Sequence, residues 1–417
     1  MRPLLLLSNG HGEDLSAALL ARELQERGVA VEAMPLVGHG AAYRSAGIAL
    51  VGRSTQEFST GGLGYTSLWG RLTELGQGQP LYLLGRLAWL WRRRRRHRLV
   101  VAVGDLVPVL AARLMGGPAA TYLVAYSSHY EGRLRLPFPC GPLLRARCWR
   151  AIWSRDQRTA TDLSDQLRRP VTFLGNPFLD PVAARAGSER SIEAPGAERR
   201  RSLALLPGSR LPEAGRNLRL ILQLLPLLPS PLQQPARLRL QAALVNGLSD
   251  DDVRTLAEPL GWRLKPGHAA ADDGAAQVLC RDSLRLQLQR GRFAAVLGGS
   301  DLVLSMAGTA AEQAVGLALP VLQLAGLGPQ FTAGFAEAQR RLLGPGVFCA
   351  AGAAGHPDTL TATAALAGEL LEQLADPRRG EAWRRQLHHE AAERIGAPGG
   401  TARLADAIME LLADTPP

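Results

Sequence analysis

The sequence predicts an α/β protein with two doubly wound domains that face each other across a cleft. Two observations predict this fold: short apolar strand-like segments alternate with helical patterns along the chain, and one polar stretch without periodicity interrupts the alternation. A chain of 417 residues, 46% of them hydrophobic, is long enough for more than one core. We therefore expect a first domain over 1–182, a linker over 183–201, a second domain over 202–375, and C-terminal helices over 376–417 that pack back towards the first domain.

Each domain is expected to contain strands joined mostly by helices. In the first domain, strands are expected near 3–8, 29–35, 47–52, 99–103, 119–125 and 150–154, and helices near 13–27, 81–98, 107–115 and 156–168. In the second domain, strands are expected near 202–206, 238–245, 277–280, 301–304, 319–323 and 347–349. Such crossover connections make the strands parallel and the domains Rossmann-like, with ligands bound at the carboxyl ends of the strands.

The composition favours an anionic partner and a reducing compartment. The formal net charge is +11, although Lys265 is the only lysine among 48 basic residues, so a coding bias towards arginine explains the same charge. Four cysteines without C-x-x-C spacing indicate neither a zinc site nor a disulfide framework. No segment has the roughly 18 uncharged apolar residues that a membrane span needs. We therefore expect a cytoplasmic protein.

The first predicted strand runs into a glycine-containing loop, "SNGHGED". The dinucleotide-binding fingerprint G-x-G-x-x-G requires three glycines after such a strand. Gly10 and Gly12 supply the first two, and the third is missing. The fingerprint is therefore incomplete, and this loop is not predicted to hold a dinucleotide.

Two loops of the second domain carry phosphate-binding chemistry directly after apolar strands. In "LALLPGSRLPE", backbone N–H groups, a hydroxyl and a guanidinium can converge on a phosphate. In "DLVLSMAGTAAEQAVGLALPV", a small turn opens a helix whose dipole favours a diphosphate, and a carboxylate follows one turn later, placed to accept from ribose hydroxyls. Each feature also has a structural explanation, as a turn glycine, a helix cap or a first-turn acid. The candidate donor-binding residues are Gly208, Ser209, Arg210, Ser305, Gly308, Thr309 and Glu312.

These two motifs, together with "LGNPFLD" before the linker, resemble the lipid-A-disaccharide synthases and related proteins, which are GT-B glycosyltransferases. The resemblance implies that the second domain binds a UDP-sugar, with Ser209 and Arg210 near the diphosphate, Thr309 at the phosphates and Glu312 on the ribose. It also implies inverting transfer of a sugar, of the N-acetylglucosamine type, to a lipid or lipid-phosphate acceptor, without a metal or another cofactor.

In such enzymes the loop after the first strand faces the acceptor, so the resemblance implies an acceptor-side role for Asn9, Gly10, Gly12 and Glu13. The lipid-A enzymes carry a loop similar to G-E-A-S-G-D here, and this chain differs from it. Inverting transfer needs a base that removes the acceptor proton.

Two residues are candidates for this base. His11 is one, because a histidine titrates near neutral pH. Asp105 is the other, because it follows a predicted strand where the lipid-A enzymes carry an aspartate. The alternatives are a loop hydrogen bond for His11 and an N-cap of the helix near 107–115 for Asp105.

A membrane contact is predicted from "PLYLLGRLAWLWRRRRRHRLVV", where apolar and tryptophan residues precede a basic run. Such a segment is suited to an anionic lipid surface, so we expect peripheral attachment to the inner face of the cytoplasmic membrane. The alternative is a core-facing helix whose last turn carries cations. The candidate contact residues are Trp89, Trp91, Arg92, Arg93, Arg94, Arg95 and Arg96.

Two further functions remain open from the sequence. A nucleotide-sugar 2-epimerase would use the same donor pocket. A catalytically inactive protein of this fold would bind membranes or polyanions through the arginine run, with salt-sensitive affinity. For the glycosyltransferase, the expected partners are a UDP-sugar, a lipid-linked acceptor and an anionic membrane surface, and no nucleic acid.

Overall fold

The computed structural model describes residues 2–52, 79–94, 96–130, 132–189, 200–267, 275–328 and 331–414. The chain divides into two compact units. One comprises Met1–Asp180 and Glu393–Pro417, and the other comprises Pro181–Ala392. Each unit is built around its own sheet.

Over its described residues, the first unit contains a seven-stranded parallel sheet in the order β3-β2-β1-β4-β5-β6-β7. The strands are β1 (Leu4–Ser8), β2 (Val31–Pro35), β3 (Ala49–Leu50), β4 (Val100–Val103), β5 (Ala119–Leu123), β6 (Trp149–Ser154) and β7 (Thr172–Phe173). The helices are α1 (His11–Glu26), α2 (Ala41–Ser45), α3 (Gln79–Arg92), α4 (Leu106–Met115), α5 (Cys140–Leu144), α6 (Gln157–Leu167) and, from the end of the chain, α15 (Gly400–Ala413). Asp180 begins α7 (Asp180–Glu189), whose other residues belong to the second unit.

The first sheet has a hydrophobic core on each face, which explains why β1 consists of four leucines and a buried serine. On one face, Leu20 of α1 and Leu404 of α15 belong to the same core. On the other face, Leu90 of α3 and Val109 of α4 pack with residues of α5 and α6.

In the described part of the second unit, eight strands have the order β10-β11-β12-β9-β8-β13-β14-β15. The strands are β8 (Arg201–Leu206), β9 (Leu238–Leu244), β10 (Arg263–Pro266), β11 (Gln277–Arg281), β12 (Leu284–Arg290), β13 (Leu302–Ser305), β14 (Val321–Gln323) and β15 (Val347–Cys349). Pairs β10–β11 and β11–β12 are antiparallel, and the others are parallel. The helices are α8 (Glu213–Leu224), α9 (Asp250–Ala257), α10 (Phe293–Gly298), α11 (Gly308–Gly316), α12 (Ala333–Leu343), α13 (Pro357–Ala375) and α14 (Pro377–Arg394).

The predicted fold class of two Rossmann-like sheets is confirmed, and the sheets also contain three strands that the sequence did not predict. These are β7, β10 and β12. β12 alternates leucine with arginine and glutamine, and its buried Gln287 is hydrogen-bonded to Gln241 at 3.0 Å, so a core position carries a polar side chain. Helix α3 ends at Arg92, six residues before the expected end, and α1 begins two residues before the expected start.

The structure draws the boundaries between the units differently from the expected ones. The predicted linker, 183–201, begins inside α7 and ends at the first residue of β8. Of the predicted C-terminal helices, α14 buries Trp383 and Leu387 in the core of the second unit, and only α15 packs in the first. The apolar stripe of each helix therefore decides which unit it joins.

No helix in the described ranges is long and apolar enough to cross a bilayer.

Candidate functional site

In the first unit, the loops after β1 and β4 lie side by side at the topological switch point. Strand β1 is flanked by β2 and β4, so the connections leave in opposite directions and open a crevice at the carboxyl ends of the strands. There the Asn9 amide nitrogen donates to both carboxylate oxygens of Asp105, at 3.1 and 3.2 Å. Two predicted site residues that are 96 positions apart are thus in direct contact.

Asp105 caps helix α4, which is the role that the sequence analysis gave as the alternative to a base. Its Oδ1 accepts from the backbone N–H of Val107 at 2.9 Å. Burial raises the pKa of the Asp105 carboxyl, and the hydrogen bonds from Val107 and Asn9 oppose that shift. The carboxylate therefore joins the two loops, and a raised pKa brings it closer to the range of a general base.

Glu13 lies over the two glycines of this crevice. Gly10 and Gly104 have φ values of +126° and +137°, which disfavour any side chain. A Cβ on Gly10 would lie 2.6 Å from Oε2 of Glu13, and one on Gly104 would lie 3.3 Å from its Cγ. Gly12 is in the first turn of α1. His11 is the first residue of that helix, and its side chain lies outside the described part of the structure.

Beneath this loop lies a buried polar cluster that the sequence analysis missed. The hydroxyl of Ser8 donates to Oδ1 of Asp14 at 2.5 Å and lies 2.6 Å from the hydroxyl of Tyr43. Burial raises the pKa of Asp14 to about 7, although the bond from Ser8 opposes the shift. Asp14 and Ser8 are six residues apart across the strand–helix turn, but nothing in the sequence identifies Tyr43 as their partner.

A second missed cluster follows β5 and β6. Oδ2 of Asp156 accepts from the hydroxyl of Ser127 at 2.7 Å, and Oδ1 lies 3.7 Å from Nε2 of His129. Nδ1 of His129 lies 3.2 Å from the guanidinium of Arg394, which can only donate, so this nitrogen accepts. Burial lowers the pKa of His129, and Asp156 opposes the shift. The lowered pKa favours the neutral ring, and a neutral ring that accepts from Arg394 at Nδ1 carries its proton on Nε2, the nitrogen that faces Asp156.

In the second unit, the loops after β8 and β13 meet at the corresponding switch point. Strand β8 is flanked by β9 and β13, and the backbone N–H of Met306 donates to the carbonyl of Leu206 at 2.9 Å. A Cβ on Gly208, whose φ is +105°, would lie 3.6 Å from the carbonyl oxygen of Met306. Ser209 is exposed and Arg210 half-buried. The structure thus brings the two predicted phosphate-binding loops together.

Helix α11 begins at Gly308, as predicted, with Thr309 in its first turn and Glu312 one turn further on. Its N-cap is Ala307, which provides no capping side chain. The hydroxyl of Ser305 is buried and bonded to the N–H and carbonyl of Ala307, at 3.2 and 3.1 Å, so it shapes the turn. The amide groups at the start of this helix have no side-chain cap and can bind an anion.

Residues from neighbouring elements hold these two loops in place. The buried Asn217 of α8 donates to the carbonyl of Pro207 at 2.8 Å. Gln339 of α12 donates to the carbonyl of Gly308 at 3.0 Å, and Gln323 of β14 donates to Gln339 at 3.0 Å. Sequence reasoning missed these residues, because a supporting amide has no recognisable local pattern.

Helix α3 combines features of both interpretations of the predicted membrane segment. Leu90 is fully buried in the core, whereas Trp91 is 53% exposed. The guanidinium of Arg93 lies 4.1 Å from the ring centre of Trp89, and that of Arg94 lies 4.9 Å from that of Trp91. Arg92 and Arg96 are exposed, and Arg95 lies outside the described residues.

No family model matches the chain, and no curated protein matches it. Solved structures do match over almost the whole chain. The calicheamicin glycosyltransferase CalG4 has a TM-score of 0.54 at 17% identity, covering 100% of both chains. S. aureus MnaA, solved with UDP, has a TM-score of 0.53 at 13% identity, covering 99% of this chain and 97% of its own. This is the GT-B fold.

A third GT-B structure is that of a Listeria monocytogenes protein assigned as a UDP-N-acetylglucosamine 2-epimerase. Its TM-score is 0.52 at 14% identity, with 100% of this chain and 98% of that one covered. At such identities the similarity establishes the GT-B fold and leaves the reaction to be argued from the residues.

Proposed function

We propose that this GT-B protein is an inverting glycosyltransferase that moves a sugar, of the N-acetylglucosamine type, from a UDP-sugar to a lipid or lipid-phosphate acceptor at a membrane surface. The observation that supports it best is the meeting of the loops after β8 and β13 at the switch point of the second sheet. Nucleotides bind doubly wound sheets at this position. CalG4 is a glycosyltransferase and MnaA was solved with UDP, which agrees with this assignment.

The donor diphosphate would be held by the start of α11 and by the loop after β8. The uncapped amides of Gly308 and Thr309 provide donors and a favourable dipole. Arg210 adds a guanidinium, which binds phosphate oxygens in a bidentate manner. Glu312, one helical turn from Gly308, would accept hydrogen bonds from the ribose hydroxyls.

The acceptor would bind at the crevice after β1 and β4 in the first unit. Asn9, Glu13 and Asp105 provide an amide and two carboxylates there. Asp105 has a raised pKa and a partner that orients it, which are the properties of a general base. His11 remains the second candidate for this role.

A 2-epimerase is the second candidate function, because the Listeria structure has the same fold. The two reactions differ in what they consume. An epimerase converts UDP-N-acetylglucosamine alone to its 2-epimer, whereas a transferase releases UDP only when an acceptor is present. Proton NMR of the nucleotide sugar, with and without a lipid-phosphate acceptor, separates these outcomes.

Thermal-shift titration with UDP, GDP, ADP, CDP and dTDP tests the donor site. A site occupied at a hundredfold excess over Kd adds about 2.7 kcal/mol to the free energy of unfolding. This corresponds to a rise of roughly 5–10 °C for a unit of this size. The shift should occur with UDP, disappear in Glu312→Ala, and persist in Glu369→Ala, which removes an exposed carboxylate from α13. No shift with any nucleotide would contradict the donor site and favour the inactive, polyanion-binding alternative.

A further inference from the structure

A cavity of about 690 Å³ opens on the first unit, among the loop 132–139, helix α5 and the end of α6. None of the residues predicted from the sequence to form a site lines it. Ten residues line it, among them Arg133, Leu134, Arg135, Leu136, Phe138 and Arg145.

The wall of this cavity is held in a fixed shape by α6. Oδ2 of Asp162 accepts from the backbone N–H of Leu134 at 2.6 Å and from the hydroxyl of Ser128 at 2.7 Å. The side-chain amide of Gln166 donates to the carbonyl of Leu134 and to Oδ1 of Asp162, both at 2.8 Å. Both backbone polar groups of Leu134 are therefore anchored, and the cavity exists before any ligand binds.

The charge of the lining is entirely positive over its described residues. Arg133, Arg135 and Arg145 are exposed, and none of the ten residues that line the cavity is acidic. Asp162 is not one of the lining residues; its oxygens accept the bonds that anchor the loop. Burial raises the pKa of its carboxyl, but these bonds and the charge of Arg133 outweigh burial and lower that pKa. Arg145 also donates to the backbone carbonyl of Gln166, at 2.8 Å. Three guanidinium groups around one opening are complementary to phosphate.

The rim of the cavity is apolar as well as cationic. Phe138 is 87% exposed, more than any other large apolar side chain in the described ranges. Leu134 and Leu136 continue this apolar surface down to the core, against which they pack. A free phosphate ion would leave the Phe138 ring in water, whereas a lipid bilayer accepts an aromatic ring beside arginine residues at its interface.

We propose that this cavity binds the anionic headgroup of a membrane phospholipid, while Phe138 enters the interfacial layer of the bilayer. The site is separate in sequence from the arginine run that follows α3, and it does not depend on the donor site. It gives the first unit a membrane contact distinct from the one predicted at the arginine run, with a defined pocket for one headgroup.

Co-sedimentation of the full-length protein with vesicles tests this proposal. The vesicles contain phosphatidylcholine, with or without phosphatidylglycerol. The triple variant Arg133→Gln, Arg135→Gln, Arg145→Gln is expected to bind phosphatidylglycerol vesicles about a hundredfold more weakly than wild type. Each arginine near the surface contributes about fivefold to the affinity, and the three factors multiply. Phe138→Ser should weaken binding roughly tenfold.

Matched controls remove the same charge or a similar apolar surface elsewhere. Arg263→Gln, Arg285→Gln, Arg379→Gln removes three exposed arginines from the second unit, none of which lines the cavity, and should weaken binding at most about threefold. Leu227→Ser removes an exposed apolar side chain from the same unit and should have no effect. Circular dichroism melts establish that each variant is folded.

Three results would overturn the proposal. In the first, the triple variant and Phe138→Ser both bind the vesicles as tightly as the wild-type protein does. Another is loss of binding only in a variant with Arg92, Arg93, Arg94 and Arg96 changed to Gln, which would leave α3 as the membrane contact. The third is a thermal shift with inorganic phosphate that disappears in the triple variant while vesicle binding persists, which would identify a site for soluble anions.

Discussion

Replacing Asp14 with asparagine is expected to remove a large pH dependence from the stability of the protein. Asp14 is 5% exposed, and burial raises its pKa from 3.8 to about 7. The unfolded chain releases this proton near the ordinary pKa, whereas the folded protein retains it up to about pH 7. The free energy of unfolding therefore falls by about 1.4 kcal/mol for each pH unit between these two values, by about 4 kcal/mol in total, and is constant above them.

The amide oxygen of asparagine can still accept the bond from Ser8, so the variant retains the shape of the cluster. Burying its NH₂ group has a fixed cost, which would displace the plot of unfolding free energy against pH without changing its slope. Urea unfolding, followed by circular dichroism from about pH 4 to about pH 8, measures the difference in unfolding free energy between the variant and wild type. That difference should shift in favour of the variant by about 4 kcal/mol over this range.

Asp165→Asn, at an exposed position of α6, provides the control, because it makes the same chemical change without altering a buried group. A flat difference for Asp14→Asn would refute the reasoning. It would mean that Asp14 is ionised in the folded protein at pH 5, and that the hydrogen bonds of the cluster outweigh its burial.

Three further predictions address the donor loops, the acceptor crevice and the last helix. Gly326→Ala should destabilise the second unit by about 1–3 kcal/mol and weaken nucleotide binding, because its Cβ would lie 2.8 Å from Oδ1 of Asn217, which holds the loop after β8. Gly334→Ala, whose Cβ would meet only the hydroxyl of Thr332 at 4.0 Å, should do neither in the same thermal-shift titration. Asp105→Ala should lower the free energy of unfolding in urea by about 1–2 kcal/mol, because α4 loses its N-cap. The same variant should abolish sugar transfer, and retained turnover would exclude Asp105 as the base. Leu404→Ala should cost about 2–5 kcal/mol if α15 completes the first core, and Met409→Ala, on the exposed face, under about 0.5 kcal/mol.

The sequence was sufficient for most of the fold because a parallel strand is buried on both faces and is therefore continuously apolar. The segment that forms β1 shows this plainly. Where burial is incomplete the signal fails: β10, with Arg263 and Lys265, reads as a loop although it pairs with β11 at the edge of the sheet. The arginine-rich C-terminal helix α14 likewise gave no indication that Trp383 belongs to the second core.

The candidate site was predictable where loops follow strands, because topology then decides which loops meet. The loops that carry Gly208 and Gly308 were expected to meet for this reason, and they do; their role in binding a nucleotide stays a prediction. The side chains that hold these loops were not predicted. Asn217 and Gln339 each hold a loop by one hydrogen bond, to the carbonyls of Pro207 and Gly308, which lie 10 and 31 positions away along the chain. Tyr43 and His129 were missed for the same reason, since their partners are set by tertiary packing.

Asp180 shows how the first unit is closed. Its carboxylate accepts from the backbone N–H groups of Gly399 and Thr401, at 2.6 and 2.8 Å, so the point where the chain leaves the unit is tied to the start of its last helix. Residues 181–392 are thus an insertion between two secured ends, and the first unit is complete only when both flanking segments have been made. Ribosomal synthesis therefore finishes the inserted unit before its host, and a deletion that joins the two ends by a short linker would be the natural way to obtain the host alone.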